Sequence, residues 1–317
     1  AAVISGFAKF RGDINVAGVI LNRVGSDRHK QMIVDACAKH LPDLPVLGAV
    51  RRSQDLLLPE RHLGLVQAGE HAELETFLDR AADIISEDVD LDALIALVDK
   101  KAGTAKKTKK SANSTPTAPV IAPLGRHVAV ARDAAFAFSY PHLLDGWRAA
   151  GTKISFFSPL ANEAPNPDCD AIYLPGGYPE LHAKTLAAAK VFRAGMHDAA
   201  QRSILIYGEC GGYMTLGNGL VDASGTRHEM LGLLPLETSF ASRRLHLGYR
   251  EAQLGIPTPF GPAGMKLRGH EFHYATTLSE DGMPLCRMKT ATGLDLGPAG
   301  LVDGSVFGSF FHMIAES

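Results

Sequence analysis

Between residues 126 and 210, short apolar runs are separated by longer amphipathic segments, and this pattern restricts the chain to one class of architecture. RHVAVAR (126 to 132), KISFFSP, DAIYLPGG and SILIYGEC read as strands buried on both faces. HLLDGWRAAG reads as a helix ending at Gly151, and LHAKTLAAAKVFRAGMHDAA as one further helix. Four such strands with helices between them predict an open parallel sheet, whose ligands bind beyond the carboxyl ends of the strands. From about residue 225 onward the chain is richer in Gly, Pro and short β-like runs, ending in GLVDG and SVFGSFFH. These predict later, largely antiparallel strands, with His312 at the end of the last, so the sheet is mixed.

A similar pattern precedes this region. VAGVILNRV (16 to 24) reads as a buried strand, SDRHKQMIVDACAKHL as a helix capped by Ser26 or Asp27, and LPVLGAV as a second buried strand. Strand, helix, strand implies a parallel pair with a right-handed crossover. Further helices are predicted from about Glu70 to Ile85 and over residues 88 to 99. The opening AAVISGFAKFRGD is helix-like but has no capping residue, which predicts that the chain begins inside a domain. KKAGTAKKTKKSANSTPTAP (100 to 119) has almost no large apolar side chains and reads as a solvated linker. The expected division is therefore 1–99, a linker over 100–123, and 124–317: two doubly wound α/β domains.

With 46% hydrophobic and 21% charged residues and a formal net charge of -2, nothing pulls the chain as a whole toward nucleic acid. No run is long and apolar enough for a membrane span, and a cytoplasmic location is expected. Cys37, Cys169, Cys210 and Cys286 are scattered, without CxxC or zinc-site spacing, and read as free thiols.

Residues 208 to 212 spell G-E-C-G-G. This is the cysteine form of the nucleophile elbow, in which a strained strand-to-helix turn lifts the nucleophile above the sheet. A thiolate attacking a carbonyl needs an imidazole to manage protons and backbone donors for the developing oxyanion. His312 is the candidate base. Gly177, in LPGG (174 to 177), and Gly211 are the candidate oxyanion donors, with Gly176 beside them as a candidate substrate-binding position.

LPGGYPE, YGECGGYM and GSFFH, in that order, resemble the class I (triad) glutamine amidotransferase domains. The resemblance implies that Cys210 attacks the glutamine carboxamide and that His312 is its base. The chain departs from the family pattern after the histidine. Pro-Glu is usual there, whereas Met313 and Ile314 follow here, leaving Glu316, out of step, as a candidate orienting carboxylate. RDAAFAFSYPHLL, FFSPLANE, GLLPLETSFASRRLHLGYREA and RGHEFHYA, with NRVGSDRH and LPERHLGLV, resemble the cobyrinic or hydrogenobyrinic acid a,c-diamide synthases over nearly the whole chain.

That resemblance implies a dethiobiotin-synthetase-like first domain using ATP and magnesium, with L-glutamine as co-substrate. Two acetate side chains of a corrin ring would be amidated. It implies small-molecule partners and allows a homodimer. By the same resemblance Asn22 contacts the nucleotide, and Glu60, Arg61 and His62 lie near substrate or a domain interface. No G-x-x-x-x-G-K-[ST] phosphate loop occurs in the sequence. The chain is therefore expected to lack the family's N-terminal segment and to retain the glutaminase half. Amidation of other corrin carboxylates, as by cobyric acid synthase, and a non-catalytic corrin-binding module are the alternatives.

Arg243, Arg244, His246, Tyr249 and Arg250 could bind carboxylates or form a solvated face. In GHEFH (269 to 273), a strand would point His270 and His273 to opposite faces, so no metal site is expected in this chain.

Overall fold

The computed structural model describes residues 1–58, 68, 71, 73–102 and 121–317. Contacts divide the chain into two units, Ala1–Ala112 and Asn113–Ser317. Among the described residues, no helix is long and apolar enough to cross a membrane.

The first unit contains α1 (Ala2–Phe10), β1 (Val19–Val24), α2 (Asp27–His40), β2 (Val46–Arg51), α3 (Leu74–Asp88) and α4 (Leu91–Ala102). As expected, β1 and β2 pair in parallel across α2, with Leu21 opposite Ala49. Ser26 caps α2, its hydroxyl accepting from the His29 amide at 3.2 Å. Leu21, Val24 and Ala49 form the centre of a small core, covered by Val19, Ile33, Val34 and Val46. α1 has no side-chain cap.

The second unit begins with β3 (His127–Ala131), α5 (Pro141–Ala149), β4 (Lys153–Phe157), β5 (Ala171–Leu174), α6 (Ala183–Ala188), α7 (Lys190–Gln201), β6 (Leu205–Glu209) and α8 (Gly211–Leu216). There follow β7 (Gly219–Val221), β8 (Arg227–Glu229), β9 (Leu236–Ser239), β10 (His246–Leu254), β11 (Lys266–His273), β12 (Thr276–Glu280), β13 (Met283–Thr290), β14 (Asp295–Asp303), β15 (Val306–Ser309) and β16 (Phe311–Glu316). Ten strands form one mixed sheet in the order β16-β11-β10-β13-β14-β15-β6-β5-β3-β4, and β12-β9-β7-β8 form a smaller one. β4, β3, β5, β6 and β15 run parallel, and the rest of the large sheet is antiparallel. Apolar clusters cover both of its faces. One holds Ile121, Leu124 and Trp147, with the indole N–H donating to the Ile121 carbonyl at 3.1 Å.

Two sequence expectations are corrected. The helix expected over residues 181–200 is broken at Ala189 into α6 and α7. Asn162 Oδ1 accepts from the amides of Val191 and Phe192 at 2.8 and 3.3 Å, capping α7 from outside and starting a new helix axis. SVFGSFFH is likewise two strands, so His312 stands near the start of β16 rather than at the end of a strand. Ser309 and Phe311 are two residues apart, yet their strands are separated in the sheet order by β11, β10, β13 and β14. The antiparallel part must therefore curl back on itself, which brings β16 to the carboxyl ends of the parallel strands.

α8 lies close against β5 because Gly212 has no side chain. A Cβ there would stand 1.9 Å from the Leu174 carbonyl oxygen, a backbone atom that cannot turn aside. Gly212→Ala is expected to cost about 3 kcal/mol by overpacking, read as a lowered midpoint in urea; an unchanged midpoint would refute this seating of the helix.

Candidate active site

β6 ends at Glu209, and the chain reverses at the next residue. Cys210 adopts φ 51° and ψ -104°, one of few non-glycine residues at positive φ. Such a conformation costs about 1–3 kcal/mol and persists only where its surroundings enforce it. The Cys210 amide donates to the Ser309 carbonyl at 2.8 Å, and its carbonyl accepts from Met214 at 3.0 Å. The expected elbow is present. Although Cys210 is only 3% exposed, its neighbours are polar: the Phe272 carbonyl lies 3.8 Å from Sγ, and the His312 imidazole interacts electrostatically with the thiol. Gly176 leaves this space open, because a Cβ there would lie 2.7 Å from His312 Cε1 and 3.5 Å from Cys210 Cβ.

The carboxylate that meets His312 is Glu209. Its Oε1 lies 3.2 Å from His312 Nδ1. Oε1 also accepts from the Tyr173 hydroxyl at 3.1 Å, and Oε2 from the Tyr207 hydroxyl at 3.3 Å and the Met313 amide at 3.1 Å. Glu209 is wholly buried. Burial, and then the Glu209 charge, push both tyrosine pKa values well up, so both hydroxyls keep their protons and act as donors. Glu316, the sequence candidate, is corrected: it is exposed at the far end of β16, paired with Leu267 in the sheet. In the sequence Glu209 occupies the variable position of the G-x-C-x-G pattern. The available signal was a charged residue ending a strand otherwise buried on both faces, since such a charge requires partners.

Burial drives the His312 imidazole toward its neutral form, but the Cys210 and Glu209 charges and hydrogen bonds outweigh this and push its pKa up to about 10. A protonated ring donates at both nitrogens. Gly177 and Gly211 are adjacent, the position of a Gly211 Cβ falling 3.0 Å from the Gly177 nitrogen. Among the described residues neither amide donates to a protein acceptor.

The other predicted residues are not gathered at this site. Arg243 and Arg244 are exposed. Arg243 acts on Glu180, whose pKa burial raises to about 7 and the arginine partly restrains. Tyr249 is exposed and Arg250 is paired with Glu271 at 2.8 Å; both line a cavity of about 490 Å3 with Arg268, His270 and Lys289. Asn22, in the first unit, is exposed at β1, its Oδ1 accepting from the Arg23 amide at 2.8 Å. Glu60, Arg61 and His62 lie outside the described residues. His270 and His273 do face different groups, His312 and Glu271. Among the described residues, His246, Glu271 and His273 have ligand atoms within 4.8 Å of one another and are the one group placed to hold a metal ion.

A hydrogenobyrinate a,c-diamide synthase of Brucella anthropi is 54% identical over 315 residues, covering 99% of this chain and 69% of the relative. The chain belongs to the hydrogenobyrinate a,c-diamide synthase family. The Rhizobium meliloti member is 53% identical over 322 residues, covering 99% of this chain and 70% of its own. The family profile of CobB/CobQ-like glutamine amidotransferase domains matches residues 127–317, and that of CobQ/CobB/MinD/ParA nucleotide binding domains residues 1–66. A glutamine amidotransferase structure from Thermotoga maritima aligns with TM-score 0.39 and 16% identity, covering 59% of this chain and 75% of that one.

His312 has a folded pKa above the ordinary histidine value of about 6.5. Its contribution to stability is therefore fully present below about pH 6.5 and is lost as pH rises through about 10. Long-range 1H–15N spectra are expected to show a protonated His312 ring at pH 8 that becomes neutral in Cys210→Ala, because the sulfur supplies the largest favourable contribution. A neutral ring at pH 8 in the parent would contradict this account.

Proposed function

We propose that this chain supplies the glutaminase of a glutamine-dependent, ATP-dependent ligase that amidates the a and c acetate side chains of hydrogenobyrinic or cobyrinic acid in cobalamin biosynthesis. The identity to named diamide synthases along 99% of the chain supports this substrate. What supports the glutaminase most is the assembly of Cys210, His312 and Glu209. Residues 124–317 are assigned to ammonia production, residues 1–99 to part of the ATP-using domain, with Asn22 on the nucleotide, and 100–123 to the connection. ATP is a substrate of the ligase step. Magnesium is a hard cation that prefers oxygen ligands. The His246, Glu271 and His273 group, with two imidazoles and a carboxylate shared with Arg250, does not suit it. We place the reaction in the cytoplasm, in keeping with four unpaired cysteines.

The chemistry follows from the geometry. The Cys210 thiolate attacks the glutamine Cδ, forming an S–C bond while the carbonyl π pair moves onto oxygen. The amides of Gly177 and Gly211 receive that oxyanion, and Gly176 leaves room for the substrate. The His312 imidazolium gives its proton to the amide nitrogen, the C–N bond breaks and ammonia leaves. Neutral His312 then takes a proton from water, whose oxygen attacks the thioester. Collapse breaks the C–S bond, releasing glutamate and regenerating the thiolate and imidazolium pair. Glu209 holds the ring in register and balances its charge at each stage.

A glutamine-shaped chloroketone is expected to label Cys210, as mapped by peptide mass spectrometry. In the intact ligase, which carries the phosphate loop, Cys210→Ala is expected to lose glutamine-dependent amidation of hydrogenobyrinic acid by at least about 1,000-fold while keeping ammonia-dependent amidation. Label elsewhere, or equal loss with both nitrogen donors, would contradict the assignment.

A further inference from the structure

A second imidazole lies flat against the catalytic one. The rings of His270 and His312 are parallel, 5° apart in orientation, with centroids 4.7 Å apart. They occupy paired positions of β11 and β16. The Tyr140 ring stands perpendicular to both and places its hydroxyl 2.7 Å from His270 Nε2 and 3.2 Å from His312 Nδ1. Tyr140 immediately precedes α5, and His142 on that helix reaches the Ile314 carbonyl at 3.3 Å, tying the helix start to β16.

With His312 protonated, one arrangement of protons satisfies every contact at this junction. A protonated His312 donates from Nδ1, so the Tyr140 oxygen there is an acceptor. The single Tyr140 proton must then go to His270 Nε2, the shorter contact, and that nitrogen must carry no hydrogen. His270 is accordingly a neutral ring stacked on a charged one. The same directions emerge electrostatically: burial and the His312 charge lower the His270 pKa, and burial with the Glu209 and Cys210 charges raises that of Tyr140. The titratable groups touching His312 are thus Tyr140 beside α5, Glu209 and Cys210 at the β6 elbow, and His270 on β11.

We propose that Tyr140 and His270 are positioning residues of the glutaminase. His270 fixes the direction of the Tyr140 hydroxyl, so that Tyr140 accepts from His312 Nδ1 alongside Glu209 and holds the imidazolium aimed at Cys210. Neither touches the reacting atoms. The inference rests on the glutaminase reading, and it extends the orienting group from one carboxylate to a carboxylate, a phenol and a second imidazole.

Two readouts in the full chain test it: steady-state glutamine hydrolysis, and the pH dependence of Cys210 alkylation by iodoacetamide. Tyr140→Phe, which keeps the ring, and His270→Ala are each expected to lower kcat about tenfold, the scale of one hydrogen bond to a charged group, with KM changed by less than about twofold. Both are also expected to move the rising limb of alkylation to higher pH, because the imidazolium that supports the thiolate is less well held. His270→Gln, whose amide can accept from the hydroxyl, is expected to restore most of both. Parent-like kcat and an unshifted alkylation profile in Tyr140→Phe and His270→Ala would overturn the proposal, as would failure of His270→Gln to improve on His270→Ala. Alkylation needs no glutamine turnover. A parent that alkylates at Cys210 but does not hydrolyse glutamine would therefore sink the glutaminase reading, while the shift or its absence still decides the positioning roles.

Discussion

The second unit is organised around a carboxylate that water cannot reach. Glu209 is wholly buried, and an uncompensated charge in that position would cost several kcal/mol. Its compensation comes from separate parts of the chain: Tyr173 on β5, Tyr207 on β6, and the His312 ring and Met313 amide on β16. β16 therefore has one place in which to lie. Removing any of these donors leaves the buried charge less compensated, so the requirement that fixes the fold also fixes His312.

A second constraint is steric. Cys210 holds a conformation that few non-glycine residues adopt, and it does so because β15 and α8 grip its amide and carbonyl. That grip needs backbones at distances a methyl group would prevent, as at Gly212. The glycines around the cysteine thus let α8 sit on the sheet and keep further side chains from crowding Cys210 and His312. Stored strain at Cys210 and close packing around it are two aspects of one arrangement.

Much of this was legible in the sequence. Apolar runs of strand length located β1 to β6, and the glycines flanking Cys210 announced the elbow, because few other local structures need that composition. The pairing of Cys210 with His312 followed from chemistry that requires a base. What was not legible depended on long-range closure. The alternation of residues in SVFGSFFH reads as one strand, and nothing local marks the point where the sheet curls and β16 begins. The break at Ala189 is imposed by Asn162, far away in sequence. Glu209 occupies a position that the elbow pattern leaves variable, and the His312 ring is reached from the strand that ends at Cys210 rather than from residues after the histidine. Tyr140 and His270 are separated by 130 positions and meet only after folding.

The most direct test of the central claim sets two carboxylates against each other in the same assay. Glutamine hydrolysis should be measured for Glu209→Gln and Glu316→Gln, with circular dichroism confirming that both fold. The account predicts that Glu209→Gln lowers kcat by at least about 100-fold, in line with loss of a carboxylate that orients a catalytic imidazole, while Glu316→Gln stays within about twofold of the parent. Parent-like turnover in a folded Glu209→Gln enzyme, or a large loss in Glu316→Gln, would contradict it.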